Sequence, residues 1–320
     1  MFFLYILLFL FSCFLIAFAS KKVIVSLIRV SRFLGWKEFV VSFFIMALAG
    51  SIPNFFVGIS SALNKVPQLS FGDVAGNNIV AFTLTLALAV LFSPRKEIAV
   101  ESRTALKTSI FTLIAAIFPI ILTLDKILSR SDGLLLISFF VFYIFWLFSK
   151  KERFSKIYEE EKEPIIMGVK IFIKDLIKIV FNIAILLVAS YWVVISAQFF
   201  AKNLDVSIIF IGILITGLGN ALPEIYFTVI SARRGETWMI LGDLMGAVIF
   251  PATLVLGIVA LISPIYIYDF SHFYIARLFL IISAILFAFF IRTNKKISFK
   301  EGLSLLFIYI LFTIVEIFQK

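Results

Sequence analysis

The sequence predicts an all-α membrane protein with ten transmembrane helices, arranged as two inverted-topology repeats of five. Three observations lead to this prediction. The 320 residues are 62% hydrophobic and 15% charged, which is far more apolar than the roughly 45–50% typical of soluble domains. Apolar stretches long enough to cross a bilayer recur between charged breaks. Residues 47–94 and 217–264 also align without a gap at an offset of 170.

The composition excludes several classes of function. A single cysteine, Cys13, rules out an internal disulfide, and a single histidine, His272, rules out a histidine-based metal cluster. The net charge of +10 is interpreted as topology-setting Lys and Arg, because no basic run with interleaved aromatics stands outside the loops. No nucleotide loop or nucleophile–base pair is present. We therefore expect no enzyme, no cofactor and no nucleic-acid partner, and only membrane lipid and small inorganic cations as partners.

Ten apolar stretches reach the length of about 20 residues that a helix needs to cross the hydrocarbon core. They are 1–19, 38–63, 70–92, 104–124, 133–149, 175–199, 206–231, 238–262, 273–291 and 298–318. The first has no basic segment before its apolar core. It is therefore expected to remain as a span and not to act as a cleaved signal peptide.

One long polar connection divides the chain. We expect a first half at 1–150 containing the repeat 47–94, a linker at 151–170, and a second half at 171–320 containing the repeat 217–264. The mixed charges of the linker could form a regulatory site, but a solvated cytoplasmic connection is favoured.

Basic residues are distributed unevenly between the two sides of this arrangement. If the N-terminus is outside, six of the 29 Lys and Arg residues face outwards and the others face inwards. The six are Lys65, Lys126, Arg130, Lys202, Arg277 and Lys320. The positive-inside rule then predicts a multi-pass protein of the cell membrane with both termini external and the central loop cytoplasmic.

The two copies lie five spans apart, and five is odd, so the second copy must enter the membrane from the opposite side. Such inverted repeats place two halves across a site near the midplane and permit alternating access. We expect spans two, three, seven and eight to form a central bundle. Spans one and six would lie across it as a moving pair.

A buried carboxylate marks the candidate site. Glu224 lies inside an apolar span, where a charge costs about 2.5–3.5 kcal/mol on insertion scales. Pro223 cannot donate a backbone hydrogen bond, so a carbonyl near Gly219 is released. Asn220 adds an amide oxygen at the same level, and Gly217 adds backbone freedom. These groups predict an oxygen-lined pocket for a hard cation, with Pro223 as the helix breaker.

The first copy offers a matching set. Pro53 is its helix breaker, and Ser51, Asn54 and Ala47 are candidate ion-binding positions, with Asn54 beside Glu224 as a metal-binding candidate. Structural alternatives remain open here. Ser51 could hydrogen-bond back within its own helix, and Asn54 could be only a helix–helix hydrogen-bond donor.

Each copy continues with an acidic residue. Asp73 and Asp243 are possible accessory ligands, but both fall close to the predicted starts of their spans, so N-terminal capping is an equal alternative. Asn77 extends the polar face inwards from Asp73, whereas the second copy has Ala247 at that position. The two halves are therefore not equivalent.

The motifs GNALPE (219–224) with GDLMG (242–246), and ALAGSIPN (47–54) with GDVAGNNI (72–79), resemble the two alpha-repeats of the sodium/calcium exchanger family. The resemblance implies exchange of Ca²⁺ for Na⁺ or H⁺ by alternating access, with one glutamate from each repeat at the centre of the site. Asn54 stands where the first of those glutamates belongs. Six other positions also differ from the residues usual in the family: Gly50, Asn77, Ala81, Ala221, Ala247 and Pro251.

The missing glutamate bears on the transported ion. A single carboxylate, Glu224, leaves a divalent ion incompletely neutralised in a low-dielectric pocket, unless Asp73 or Asp243 supplies a second charge. We expect a secondary active antiporter that exchanges calcium for Na⁺ or H⁺. One alternative is a single-carboxylate antiporter for Na⁺ and protons. Another is a membrane protein that has kept the exchanger scaffold without transport.

Overall fold

A computed structural model describes residues 1–33, 51–100, 103–149, 169–267, 270–293 and 295–318. Its helices are α1 (Phe2–Phe33), α2 (Ile52–Leu63), α3 (Pro67–Phe92), α4 (Arg103–Leu122), α5 (Arg130–Phe148), α6 (Val169–Leu204), α7 (Ile208–Arg233), α8 (Thr237–Phe250 continuing through Leu256–Ile262), α9 (Phe270–Thr293) and α10 (Phe299–Phe318). Within the described residues, nine of them are long and apolar enough to cross a membrane, and α2 is shorter. The predicted all-α membrane fold is confirmed.

Two helices are longer than predicted. The first span was expected to end at residue 19, yet α1 runs on to Phe33, past Lys21 and Lys22. The helix α6 likewise begins at Val169. Charged side chains end the apolar span but not the helix, because long basic side chains can reach from a helix to the interface. The predicted start of the second span, and residues 150–168 of the linker region, lie outside the described residues.

The sequence repeat is also a structural repeat. In α3, α-helix over Pro67–Val80 passes into a π-helical turn at Ala81–Thr85 and returns to α-helix at Leu86–Phe92. The same three segments recur in α8 at Thr237–Phe250, Pro251–Val255 and Leu256–Ile262. Every boundary is shifted by 170 positions, as the sequence alignment requires.

Threonine hydroxyls lie at the centre of both π-helical turns. Thr83 donates to the carbonyl of Ile79, and its counterpart Thr253 donates to the carbonyl of Ile249. Such bonding to the carbonyl four residues earlier competes with the regular helical ladder and loosens it. Pro251 has no N–H to donate, which favours the same local widening in α8.

Contacts between α3 and α7 show that the repeat is inverted. Gly76 meets Gly217 where the helices cross. Nearer the other end, the Arg233 guanidinium lies 4.9 Å from the Phe92 ring centroid, so the two helices run parallel. The counterpart of α7 in the first copy is α2, which reverses into α3 through residues 64–66. Helices α2 and α7 therefore run in opposite directions, as predicted.

Two short antiparallel strand pairs connect the loops. Strand β1 (Ile98–Ala99) pairs with β4 (Lys296–Ile297), and β2 (Ile127–Leu128) pairs with β3 (Ile265–Tyr266). Each pair joins loops that the ten-span arrangement puts on the same side of the membrane. Beside the first pair, Lys296 Nζ donates to Glu97 Oε2 over 2.9 Å, which raises the pKa of the ammonium group.

The helices α1 and α6 form a pair along one side of the molecule. Their apolar faces meet in one cluster, where Tyr5 stacks on Phe199 with centroids 3.8 Å apart. Near the far end of α1, Arg29 binds both carboxylate oxygens of Asp175 at 2.8 Å. The pair packs against α2, while α2, α3, α7 and α8 pack on one another. This arrangement agrees with the expected central bundle crossed by spans one and six.

We predict that Asp175→Asn weakens the α1–α6 pair. Asp175 is 1% exposed and would lose a charge-assisted, two-bond contact, so the free energy of unfolding should fall by about 1–2 kcal/mol, since Arg29 is partly solvated. Thermal unfolding in detergent measures the change. The control is Lys178→Gln, because Lys178 lies 3.5 Å from the same carboxylate with a side chain 45% exposed. Equal effects of the two variants would contradict a specific role for Arg29.

Candidate cation-binding site

The site is built on a backbone contact between α3 and α7. A Cβ atom on Gly76 would lie 2.0 Å from the carbonyl oxygen of Ile213, and one on Gly72 would lie 2.5 Å from that of Ile209. From the other helix, a Cβ atom on Gly217 would lie 2.8 Å from the backbone nitrogen of Asn77. Distances this short leave no room for a side chain, so glycine is required on both helices.

Asp73 lies beside this contact and is fully buried. Its Oδ1 accepts a hydrogen bond of 2.8 Å from Asn220 Nδ2 on α7, and its Oδ2 accepts one of 3.2 Å from Asn54 Nδ2 on α2. One amide from each repeat therefore binds the same carboxylate. Asp73 is at the centre of the site, where the sequence predicted only an accessory ligand.

The capping alternative is wrong for both aspartates. The helix α3 begins at Pro67 and not at residue 70, so Asp73 lies in its second turn. Asp243 lies at the matching position of α8, which begins at Thr237. A residue this far inside a helix cannot cap its N-terminus, because capping acts on the first-turn N–H groups.

Glu224 lies one turn beyond Asn220 on the same face of α7. It is 4% exposed, and its Oε1 has no hydrogen-bond partner within the described part of the chain. The carboxyl groups of Asp243 and Asp73 are both close enough to interact with it electrostatically. Burying an oxygen that could carry charge without a donor is costly, which is typical of a group that binds a ligand.

Further oxygens are buried without partners among the described residues: Ser51 Oγ, Asn54 Oδ1 and Asn77 Oδ1. Asn77 lies one turn after Asp73 and therefore shares its face of α3. Hydroxyl, amide and carboxylate oxygens are the ligands that hard cations prefer. No group of three or more His, Cys, Asp or Glu side chains in the described ranges is arranged to hold a metal, so neutral oxygens would have to complete a site.

The other predicted positions have varied outcomes. Pro53 occupies the first turn of α2, while Pro223 lies inside α7 and leaves the carbonyl of Gly219 without its helical donor. Gly217 serves the helix crossing. Ala47 lies outside the described residues.

The structure also shows neighbours that the sequence did not single out. Thr216 is buried just before Gly217 and donates to the carbonyl of Gly212 over 2.9 Å. Cys13 of α1 reaches α7, where its Sγ lies 3.4 Å from the Cβ position of Gly219. The sequence signal that could have pointed to Thr216 is a hydroxyl residue directly before the GLGN segment (217–220). Nothing in the sequence pointed from Cys13 to α7.

Comparison with known proteins places the chain in a family. The sequence profile described as sodium/calcium exchanger protein matches residues 4–149 and 175–318. The chain belongs to the sodium/calcium exchanger family. It is 25% identical to the sodium/calcium exchanger MaX1 of Methanosarcina acetivorans over 89% of this chain and 91% of that protein. It is 24% identical to the inner membrane protein YrbG of Escherichia coli over 78% of this chain and 77% of that protein.

Solved structures of the sodium-calcium exchanger NCX_Mj share the fold. One of them superposes with a TM-score of 0.63 at 24% sequence identity, covering 97% of this chain and 98% of the other. The resemblance found in the motifs is thereby confirmed.

Within this family the chain has an altered set of polar positions. Asn54 replaces the first-repeat glutamate and donates to Asp73. Ala81 and Pro251, which replace polar residues, each begin a π-helical turn and contribute no side-chain oxygen. On α3, buried polar side chains are present one and two turns before Ala81, at Asn77 and Asp73.

We predict that Gly76→Ala prevents the close crossing of α3 and α7. Its methyl group would overlap a backbone carbonyl that cannot rotate away, and overpacking of this kind costs about 1–3 kcal/mol or more. Thermal unfolding in detergent should show a large loss. Gly219→Ala is the matched control, because its Cβ would first meet a Phe9 ring atom at 3.3 Å, a side chain that can shift. Similar stability of the two variants would refute the steric requirement.

Proposed function

We propose that this exchanger is a secondary active antiporter that moves calcium against Na⁺ or H⁺, with Glu224 and Asp73 as the two carboxylates of its site. The observation that carries the proposal is the unpartnered Oε1 of buried Glu224, one helical turn from the amide that binds Asp73. The second charge that a divalent cation needs, absent at Asn54, is supplied by Asp73.

The arrangement of the amides explains how the two carboxylates can coexist. Two N–H donors stabilise Asp73 without adding positive charge, so its negative charge remains available to a cation. The amide oxygens of Asn54 and Asn77 are left free. Two carboxylates with neutral amide and hydroxyl oxygens form a ligand set suited to Ca²⁺. The name of its relative MaX1, a sodium/calcium exchanger, supports the same substrate class.

A second candidate is an antiporter for Na⁺ and protons that uses Glu224 alone. This candidate is favoured by the two hydrogen bonds to Asp73. Each bond occupies an acceptor site on that carboxylate that a cation would otherwise use. Transport that is indifferent to calcium and driven by a proton gradient would select this alternative.

Alternating access follows from the inverted architecture. The α1–α6 pair is held together by the Arg29–Asp175 contact and is the natural moving unit. The glycine crossing of α3 and α7 holds the ion-binding side chains in place. Exchange of conformations between two halves of opposite orientation would open the site first to one face and then to the other.

We predict that Glu224→Gln and Asp73→Asn each reduce transport to background. In vesicles, wild-type protein should take up radioactive Ca²⁺ under an outward Na⁺ or H⁺ gradient, tested separately. Each variant removes one of two charges that neutralise the cation, which costs far more in a buried site than in water. The control is Glu97→Gln at the surface strand pair, which should retain uptake. Full activity of Glu224→Gln would show that another carboxylate, such as Asp243, binds the ion.

We also predict that Asn54→Glu shifts preference towards Ca²⁺. The variant adds a third negative charge beside Asp73 and removes one of its donors, and a divalent ion compensates this charge better than Na⁺ does. The ratio of half-saturating Na⁺ to Ca²⁺ concentrations should rise about tenfold or more. Asn54→Gln, which keeps the amide, serves as the control for side-chain length. An unchanged ratio would show that Asn54 does not face the ion.

A further inference from the structure

The contact between α2 and α8 closes one side of the site. A Cβ atom on Gly58 would lie 2.8 Å from Val255 Cγ1 and 3.1 Å from Val259 Cγ2, with Ser70 Oγ at 3.0 Å. Gly58 lies one turn beyond Asn54, between the site and the loop that joins α2 to α3. Two valine side chains and the Ser70 hydroxyl therefore pack against α2 one turn beyond Asn54.

The repeat relates this contact to a second one, between α3 and α7, which has different side chains. Adding 170 to Gly58 gives Thr228 of α7, and the counterparts of Val255 and Val259 are Thr85 and Ala89 of α3. Thr85 lies seven residues before Phe92, so the two share a helix face, and Phe92 contacts Arg233 of α7. Helix α7 packs along this part of α3. The symmetry with the Gly58–Val255 contact therefore indicates that Thr85 and Thr228 lie in one layer, one turn beyond Glu224.

The two hydroxyls of this layer differ from those of other buried threonines. Thr112, Thr216 and Thr253 each donate to the carbonyl four residues earlier. Thr85 and Thr228 are 2% and 0% exposed, yet neither Oγ1 has a hydrogen-bond partner among the described residues. Buried hydroxyls without partners are costly. Two of them in one layer point to an occupant that supplies the missing interactions.

We propose that Thr85 and Thr228 form a transit site for a monovalent cation, on the side of Glu224 where Arg233 ends α7. Neutral hydroxyl oxygens can replace part of the hydration shell of Na⁺ but cannot neutralise a divalent ion. Glu224, one turn away, provides the attractive charge. This inference rests on the proposed antiport function. It makes the two access routes chemically different, because the route along α3 and α7 has threonines at positions 85 and 228, where the route along α2 and α8 has Val255 and Gly58.

The test replaces both threonines by valine, which has nearly the same shape and carries a methyl group in place of the hydroxyl. The Thr85→Val and Thr228→Val double variant is inserted into vesicles with known orientation, and the Na⁺ concentration for half-maximal exchange is measured from each face. From the face where Arg233 lies, that concentration should rise about tenfold; from the opposite face it should stay within about twofold. The Thr85→Ser and Thr228→Ser double variant keeps both hydroxyls and should behave as wild type. Equal shifts from both faces, or none, would overturn the transit site.

Two further comparisons distinguish failure of the transit site from failure of the antiport function. If Glu224→Gln abolishes exchange while the valine variant matches wild type from both faces, the transit site is wrong and the antiport function stands. If Glu224→Gln leaves exchange intact, Glu224 is not the ion-binding carboxylate and cannot supply the attractive charge for the transit site. If wild-type protein shows no gradient-dependent exchange, the antiport function itself fails.

A pair of cysteine variants tests the layer without transport. In a Cys13→Ser background, Thr85→Cys should react with a small cationic thiol reagent, and Na⁺ should slow the reaction. Its repeat counterpart Val255→Cys should react at least about tenfold more slowly, because Val255 packs tightly against Gly58 and leaves the reagent little space. Equal reactivity of the two cysteines, or no protection by Na⁺, would refute the proposal even if the valine variant failed to fold.

Discussion

The rest of the site depends on the contact between the backbones of α3 and α7. Four glycines, Gly72, Gly76, Gly212 and Gly217, remove every side chain from the crossing, so carbonyl oxygens of one helix touch the other directly. In a bilayer, close backbone packing holds helices together effectively. Apolar side chains do not supply this attraction, because they gain little by moving from lipid to a helix–helix contact. The crossing holds Asp73 of one repeat against Asn220 of the other, so helix packing and the polar site are one structural unit.

This crossing also bears on the amide at position 54. A carboxylate at position 54 would face Asp73, whose Oδ2 lies 3.2 Å from Asn54 Nδ2. Two unscreened negative charges at that distance repel strongly in a buried site. An amide converts the repulsion into a hydrogen bond. Asn54 and Asp73 therefore form one hydrogen-bonded pair, with the amide on α2 and the carboxylate on α3.

Much of this could be predicted from the sequence. The repeat, its inversion, the helical fold and the polar groups Asn220 and Glu224 follow from proline, glycine and hydropathy patterns, which are local signals. The role of Asp73 could not be predicted, because an error of three residues in the start of α3 left capping as an equal explanation. The layer of Thr85 and Thr228 could not be predicted for another reason. The residues are 143 positions apart, and the layer is inferred only when the packing of α3 on α7 is combined with the repeat.

The two strand pairs have a mechanical consequence. Strands β1 and β2 come from the first half of the chain, and β3 and β4 from the second, yet each pair joins one strand from each half. Backbone hydrogen bonds thus tie the halves together at both ends of the helices that follow the two repeats. Helices α4 and α9 also pack against each other, so their ends are held by strands and their sides by contact. Within the described residues, neither α1 nor α6 contributes a strand, which is consistent with the proposal that these two long helices rearrange.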